Sequence, residues 1–396
     1  MSTPSSAVHR DSIKPYEQIT HSVLPHNSWL EVNAQAIAHN IALYKSVAPQ
    51  SLLAPVIKSN AYGHGIELIA KLCQALPTVD ALCVVSVSEA LSVRACGVTK
   101  PLVVLSILDN DLERAIMLDI QLVVYDLQTA LHLNVLAERL QKNVFVHIKI
   151  DTGLSRLGFL WNHAIEIIEQ IAQLPFVSIQ GIFSHLAEAE SLDQTFTNLQ
   201  YDRFNIVLSQ CKQRNIIIPW EHTSCSAAAT ANDKSHLSFV RLGIGAYGLW
   251  PSQENKVMTQ ALYPSFSLQP ALTWKSRIIQ IKQLPAQSFI GYDRTHQLEK
   301  DSIIAVLPVG YWDGYDRGLS NKGHVMINGR LAPIVGRVAM NLMMVDVTNV
   351  LAHVGQEVTL LGGELSVSAE SLAALCNTIN YEIITRINPL LPRMIV

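Results

Sequence analysis

Charge is scarce in this chain. Only 15% of its 396 residues are Asp, Glu, Lys or Arg, against about a quarter in an ordinary soluble domain. With a mean hydropathy of +0.23, that shortage implies a large buried area, either as core or as an interface between subunits. Basic runs are missing and the net charge is −3, so the charge pattern offers no nucleic-acid partner. The six cysteines (Cys73, Cys83, Cys96, Cys211, Cys225, Cys376) contain no Cys-x-x-Cys pair and no metal-ligand spacing. They predict reduced core thiols in a cytoplasmic protein, with no metal. No apolar stretch reaches the roughly 18 residues of a membrane span. Residues 1–27 are polar with scattered prolines and lack the apolar centre of a signal peptide. They predict a flexible N-terminal arm.

What the chain does contain is organised around residues 56–65, Val-Ile-Lys-Ser-Asn-Ala-Tyr-Gly-His-Gly. An apolar run over 52–57 predicts a buried strand that delivers Lys58 into a polar turn. Desolvation at such a strand end lowers a lysine's pKa, and an uncharged amine can attack a carbonyl. A surface lysine whose stem lies along apolar neighbours is the competing reading. Asn60, Tyr62 and His64 crowd polar groups beside Lys58, and the two glycines let backbone approach a ligand closely.

The length suggests more than one domain, or a large barrel with a smaller unit. A helix is expected over 33–48, capped by Asn33. Apolar, mostly β-branched runs then recur near 51–57, 81–87, 101–107, 121–125, 144–150, 177–184, 219–224 and 239–244, with helical stretches between them. Eight βα units predict a closed (β/α)8 barrel over 28–264. An open doubly wound sheet is the rival. Its nucleotide fingerprint could be Gly243-Ile244-Gly245-Ala246-Tyr247-Gly248, but this sits after the last strand with no acidic residue where ribose binding needs one. A phosphate cup formed by backbone N–H groups fits that position better. Beyond residue 265 the texture becomes β-rich, with runs at 273–282, 302–309, 324–327, 331–335, 343–347 and 357–361. Asn328-Gly329 marks a turn, and one helix is expected near 368–379. Residues 265–396 are therefore expected to form a mostly-β domain.

The segment Phe145-Val146-His147-Ile148-Lys149-Ile150-Asp151 alternates strictly, which turns His147, Lys149 and Asp151 into the barrel near its C-terminal mouth. With Arg156 they form either a buried ion-pair cluster or a site in which the guanidinium fork grips a carboxylate.

These strings, in this order, resemble the alanine racemase family, whose members depend on pyridoxal 5'-phosphate. The resemblance runs from about Ser28 to the C-terminus. It implies that Lys58 carries the cofactor. Ser226, Tyr62, Tyr381 and the backbone at Gly243 and Ile244 would hold its phosphate end. Arg241, in Val240-Arg241-Leu242-Gly243-Ile244, matches the arginine that hydrogen-bonds the pyridine nitrogen. A guanidinium stays protonated at working pH and disfavours protonation of that nitrogen. It weakens the electron sink that a carboxylate would strengthen, which favours racemisation over transamination. Arg156 would bind the substrate carboxylate, with Lys149 as a carbamylation site beside it. Two-sided proton transfer needs a second base. In Ile290-Gly291-Tyr292-Asp293-Arg294, Tyr292 is the match, and the implied relay runs Tyr292, His185, Arg241. Tyr311 would line the entrance, and the Met340 backbone N–H would help hold the substrate. Cys225, Ala339 and Asn341 depart from the family pattern. The resemblance further implies a homodimer with shared sites, an isomerase acting on alanine, and a role in supplying D-alanine for peptidoglycan. A serine or broad-spectrum racemase is the variant. A non-catalytic cofactor carrier lacks the β-rich domain, and a decarboxylase of this fold would need an acid where Arg241 stands.

Overall fold

The computed structural model describes residues 27–362 and 365–396. The expected flexible arm falls on residues 1–26, outside the described residues, apart from Asn27.

Eight parallel strands form the barrel: Leu52–Pro55, Leu82–Ser86, Leu102–Ile107, Ile120–Val124, Val144–Asp151, Val177–Phe183, Trp220–His222 and Phe239–Leu242. Six of them form one continuous sheet, and Phe239–Leu242 pairs in parallel with Leu52–Pro55. Two seams close the ring. Ile57 N–H donates to the Cys83 carbonyl at 2.8 Å, and Arg241 N–H donates to the Ser224 carbonyl at 3.2 Å. The helices lie outside because their apolar stripes have only the barrel to cover them. Ala34–Val47 shows how local sequence sets a helix start. The Asn33 side chain accepts from Ala36 N–H at 2.9 Å, and Ile37, Ile41 and Tyr44 are buried on one face. Asp126 caps Leu127–Leu140 in the same way.

The last barrel-side helix is Gln253–Leu262, and a β-rich region begins at Leu272–Arg277. The run expected as one strand over 273–282 is two strands, Leu272–Arg277 and Gln280–Leu284. The chain changes sheets between them: Ile278 N–H bonds to the Gln356 carbonyl and Ile279 N–H to that of Val306. Asn328 and Gly329 both take positive φ, 49° and 73°, and join His324–Ile327 to Arg330–Pro333 as an antiparallel hairpin.

One expectation needs correction. Ser28–Val32, expected in the barrel, lies in the six-stranded C-terminal sheet, antiparallel to Leu272–Arg277 and parallel to Arg393–Ile395. Its partners stand more than two hundred residues away, and a short, mostly buried strand does not name them.

Candidate active site

Lys58 opens a turn of the wrong hand. Ser59, Asn60, Ala61 and Tyr62 have φ of 53°, 55°, 52° and 52°, a left-handed turn built without glycine. Each such residue costs roughly 1–2 kcal/mol. Internal hydrogen bonds offset part of this, from Ala61 N–H to the Ile57 carbonyl at 2.9 Å and from Gly63 N–H to the Ser59 carbonyl at 3.2 Å. The Asn60 side chain accepts from Ile66 N–H at 2.9 Å and starts the next helix. Gly63, at φ 85°, ends the turn where a Cβ would collide with the Ile384 carbonyl. The sequence marks a polar turn here but not its handedness. Burial lowers the Lys58 pKa, Arg156 lowers it further, and Glu89 opposes both.

Lys58 borders a cavity of about 420 Å³ that Tyr62, Lys149, Arg156, His185, Ser226, Arg241, Gly243, Ile244 and Tyr381 also line. The fold thus brings these expected residues together at the C-terminal mouth of the barrel. Four of them, Lys58, Lys149, Arg156 and Arg241, are basic. Lys149 is buried, and its amine is pushed down to about 8 by burial and then by Arg156, Arg241 and Lys58, with Asp151 opposing. Its ammonium stands 5.4 Å from the Phe183 ring centre. Asp151 is turned to the loop, where it accepts from Gly153 and Ser155 N–H. Such a cavity favours an anionic ligand.

The far wall suits a phosphate. A Cβ on Gly243 would stand 3.0 Å from the Tyr62 hydroxyl and 3.6 Å from the Ser226 hydroxyl, so only glycine keeps this space open. Ser226 Oγ accepts from Gly245 N–H at 3.2 Å. Burial raises the pKa of Tyr62 and Tyr381, which keeps both phenols as donors. One hydroxyl, two phenols and glycine backbone amount to the donor set a dianionic phosphate requires.

Arg241 is fixed by a chain of neutral groups. One of its terminal nitrogens (Nη1) lies 2.7 Å from His222 Nδ1 and donates to the His222 carbonyl. The other (Nη2) donates to the Ser184 and Thr223 carbonyls. His222 Nε2 meets His147 Nδ1 at 2.9 Å, and His147 Nε2 meets Gln121 Oε1 at 2.6 Å. Because guanidinium only donates, His222 must accept at Nδ1 and carry its proton on Nε2. His147 must then accept at Nδ1 and donate from Nε2 to the Gln121 amide oxygen. Burial and the Arg241 charge hold both rings neutral, with His147 lowered to about 3. Gly181 makes room, since a Cβ there would strike the His147 ring. No carboxylate pairs with Arg241 among the described residues. His222 and Gln121 were not singled out from sequence. The signal was present: His147 and His222 both sit at inward positions of barrel strands. His185 lines the cavity as a half-buried ring held neutral by desolvation and by the nearby Arg241, Arg156, Lys58 and Lys149 charges, and its carbonyl accepts from Gln200. The hydrogen-bonded histidine of Arg241 is His222.

Tyr292, Tyr311 and Met340 stand apart from this cavity, in the C-terminal region, 71%, 44% and 54% exposed. The loops that carry them are in contact. Tyr311 N–H bonds to the Ala339 carbonyl and Trp312 N–H to that of Met340. Gly310 permits the approach, because a Cβ would collide with both carbonyls. Asp293, next to Tyr292, pairs with Arg337 at 3.3 Å.

A parallel barrel that rings a lysine of lowered pKa with cations and a cup suited to phosphate, followed by a β-rich region, defines a class of barrel proteins built to hold an anionic ligand against an amine. Residues 32–251 match the model for the alanine racemase N-terminal domain, and residues 271–395 match that for its C-terminal domain. The chain belongs to the alanine racemase family. It is 37% identical over 378 residues to the alanine racemase of Methanococcus maripaludis, covering 94% of this chain and 99% of that one. The alanine racemase structure of Clostridium difficile 630 superposes with a TM-score of 0.88 at 31% identity, covering 94% of this chain and 96% of that one. That of Bartonella henselae, described with covalently bound pyridoxal phosphate, does so at 0.81 and 25%, covering 94% and 100%.

Proposed function

We propose that this protein interconverts L- and D-alanine, with pyridoxal 5'-phosphate held at Lys58 and with Lys58 and Tyr292 as the two bases. The observation that carries the reading is the pairing of a pKa-lowered Lys58 with an Arg241 that meets only neutral groups, across a cavity with a phosphate cup. When bound, the cofactor draws electrons from the substrate's α-carbon and makes its proton acidic.

The chain's own residues do the rest. Ser226, Tyr62, Tyr381, Gly243 and Ile244 supply donors for the phosphate. Arg241, held by His222, His147 and Gln121, presents a permanent cation to the ring nitrogen and receives no proton to pass on. That limits how long negative charge persists at the α-carbon and favours prompt reprotonation. Arg156 takes the substrate carboxylate, with Lys149 beside it as the carbamylation site. Lys58 moves the α-proton on one face.

The opposite face needs Tyr292, which is exposed at a distance from its own chain's cavity. A homodimer in which each copy lends Tyr292, Tyr311 and Met340 to the other supplies it. The low charge content and the exposed Phe289, Tyr292, Trp312, Met340 and Leu342 support that assembly. A division near residue 265 separates the lysine-bearing barrel from the tyrosine-bearing β-rich domain. Six free cysteines suit a cytoplasmic enzyme that supplies D-alanine for peptidoglycan. The test is incubation with L-alanine in heavy water, following chirality and the α-hydrogen. Inversion with deuterium incorporation is expected, and a protein that leaves both untouched refutes the reading.

A further inference from the structure

The left-handed turn behind Lys58 is gripped at both ends by charged side chains from distant parts of the chain. At its front, Ser59 N–H donates to Glu89 Oε1 at 2.6 Å. The other oxygen of Glu89 accepts from Val85 N–H at 3.0 Å. Both carboxylate oxygens are thus committed to backbone, one on the turn and one at the end of the neighbouring strand. Glu89 is itself fixed in the first turn of helix Val87–Ala95, where its N–H donates to the capping Ser86 hydroxyl.

At the rear, Arg393 Nε donates to the Gly63 carbonyl at 2.8 Å. Its terminal nitrogens donate to the carbonyls of Asn388, Pro389, Leu391 and Ile387. This guanidinium meets only carbonyls, and one of them belongs to the residue that ends the turn.

We propose that Glu89 and Arg393 are positioning residues for Lys58, holding the front and the rear of the strained turn so that its amine stays aimed into the cavity. A left-handed run of four non-glycine residues does not persist unless its surroundings over-determine it. Besides the packing of Tyr62 on Tyr247 and Tyr381, the surroundings supply one charged acceptor and one charged donor, 30 and 330 residues from their partners. Glu89 has a second effect. Its negative charge counters Arg156 at Lys58, so it restrains the fall in the amine's basicity. The inference rests on Lys58 as the reactive amine.

Two readouts in the full-length protein test it. The first is deuterium exchange of the peptide spanning residues 58–65. The second is the pH midpoint for acylation of Lys58 by acetic anhydride before cofactor is added. Glu89→Ala is expected to speed exchange of that peptide by about tenfold or more, with strand Val144–Asp151 unchanged. Glu89→Gln keeps one acceptor oxygen, enough for Ser59 N–H but not for Val85 N–H as well, and is expected to restore part of the protection of that peptide. It removes the charge, so the Lys58 midpoint should drop. Arg393→Lys retains charge but loses the fork, and is expected to speed exchange at the rear of the turn. Unchanged exchange in both Glu89→Ala and Arg393→Lys overturns the proposal, as does exchange that rises evenly across the barrel. Lys58→Ala separates this from the functional reading. If that variant still binds the cofactor covalently at the same site, the functional reading fails while the exchange results stand.

Discussion

Lys149→Met asks what a buried cation costs this barrel. The Lys149 amine titrates near 8 in the folded protein and near 10.5 otherwise. The native state therefore disfavours its charged form. The penalty is present in full below about pH 8, shrinks as pH climbs towards 10.5, and vanishes above that. A displacement of this size corresponds to about 3 kcal/mol at 1.36 kcal/mol per unit. Water and anions in the cavity screen part of it, leaving roughly 2 kcal/mol. Methionine matches the lysine stem and packs on the Phe183 ring that now lies under the ammonium. In urea unfolding of cofactor-free protein in carbon dioxide-free buffer, Lys149→Met should be more stable than the parent by roughly 2 kcal/mol at pH 7. The advantage should fall below about 1 kcal/mol at pH 9.5. A difference of constant size at both pH values refutes the reasoning, and so does a variant less stable at pH 7. The same titration leaves about one amine in ten neutral at pH 7, against a few in ten thousand for an ordinary lysine. A carbamate signal from labelled bicarbonate is therefore expected in the parent and absent in the variant.

Tyr292→Phe should lower kcat/KM by about 10² to 10⁴. The enantiomers have equal free energy, so the loss must be the same in both directions. The asymmetry belongs in the α-deuterium isotope effect, which should grow from one enantiomer only, and equal growth from both would remove Tyr292 as a base. Gln121→Leu strands the His147 Nε2 proton without an acceptor and should cost about 1–3 kcal/mol in urea unfolding; a neutral result would break the proposed tautomer chain. Ser59→Gly relieves one left-handed residue at an exposed position, and should stabilise by about 1 kcal/mol by the same measurement. A loss of stability there would mean that the hydroxyl has an unseen partner.

Much of the barrel could be read in advance because its signals are local. Runs of Val, Ile and Leu mark most of the strands, and Asn33 and Asp126 mark helix starts within three residues of what they cap. The alternation through His147 and Lys149 correctly turned both inward. What sequence hid depends on partners far along the chain. The handedness at Ser59–Tyr62 is upheld by Glu89 and Arg393, and nothing in the turn itself names them. The role of His222 emerges only when three strands bring Arg241, His147 and Gln121 into line. The place of residues 28–32 in the C-terminal sheet was hidden in the same way, because their strand partners lie at 272–276 and 393–395.

That last strand has a consequence for biosynthesis. Ser28 pairs with Ser276 and Val32 with Leu272, so the ribosome must make about 240 further residues before the partner exists. At about 5–20 residues per second, the Trp29-Leu30-Glu31-Val32 segment waits roughly 12 to 50 s with its backbone edge open. The whole barrel can form in that interval. A chaperone that captures nascent β-edges should therefore meet this chain at its beginning, and should let go only once Leu272–Arg277 clears the exit tunnel.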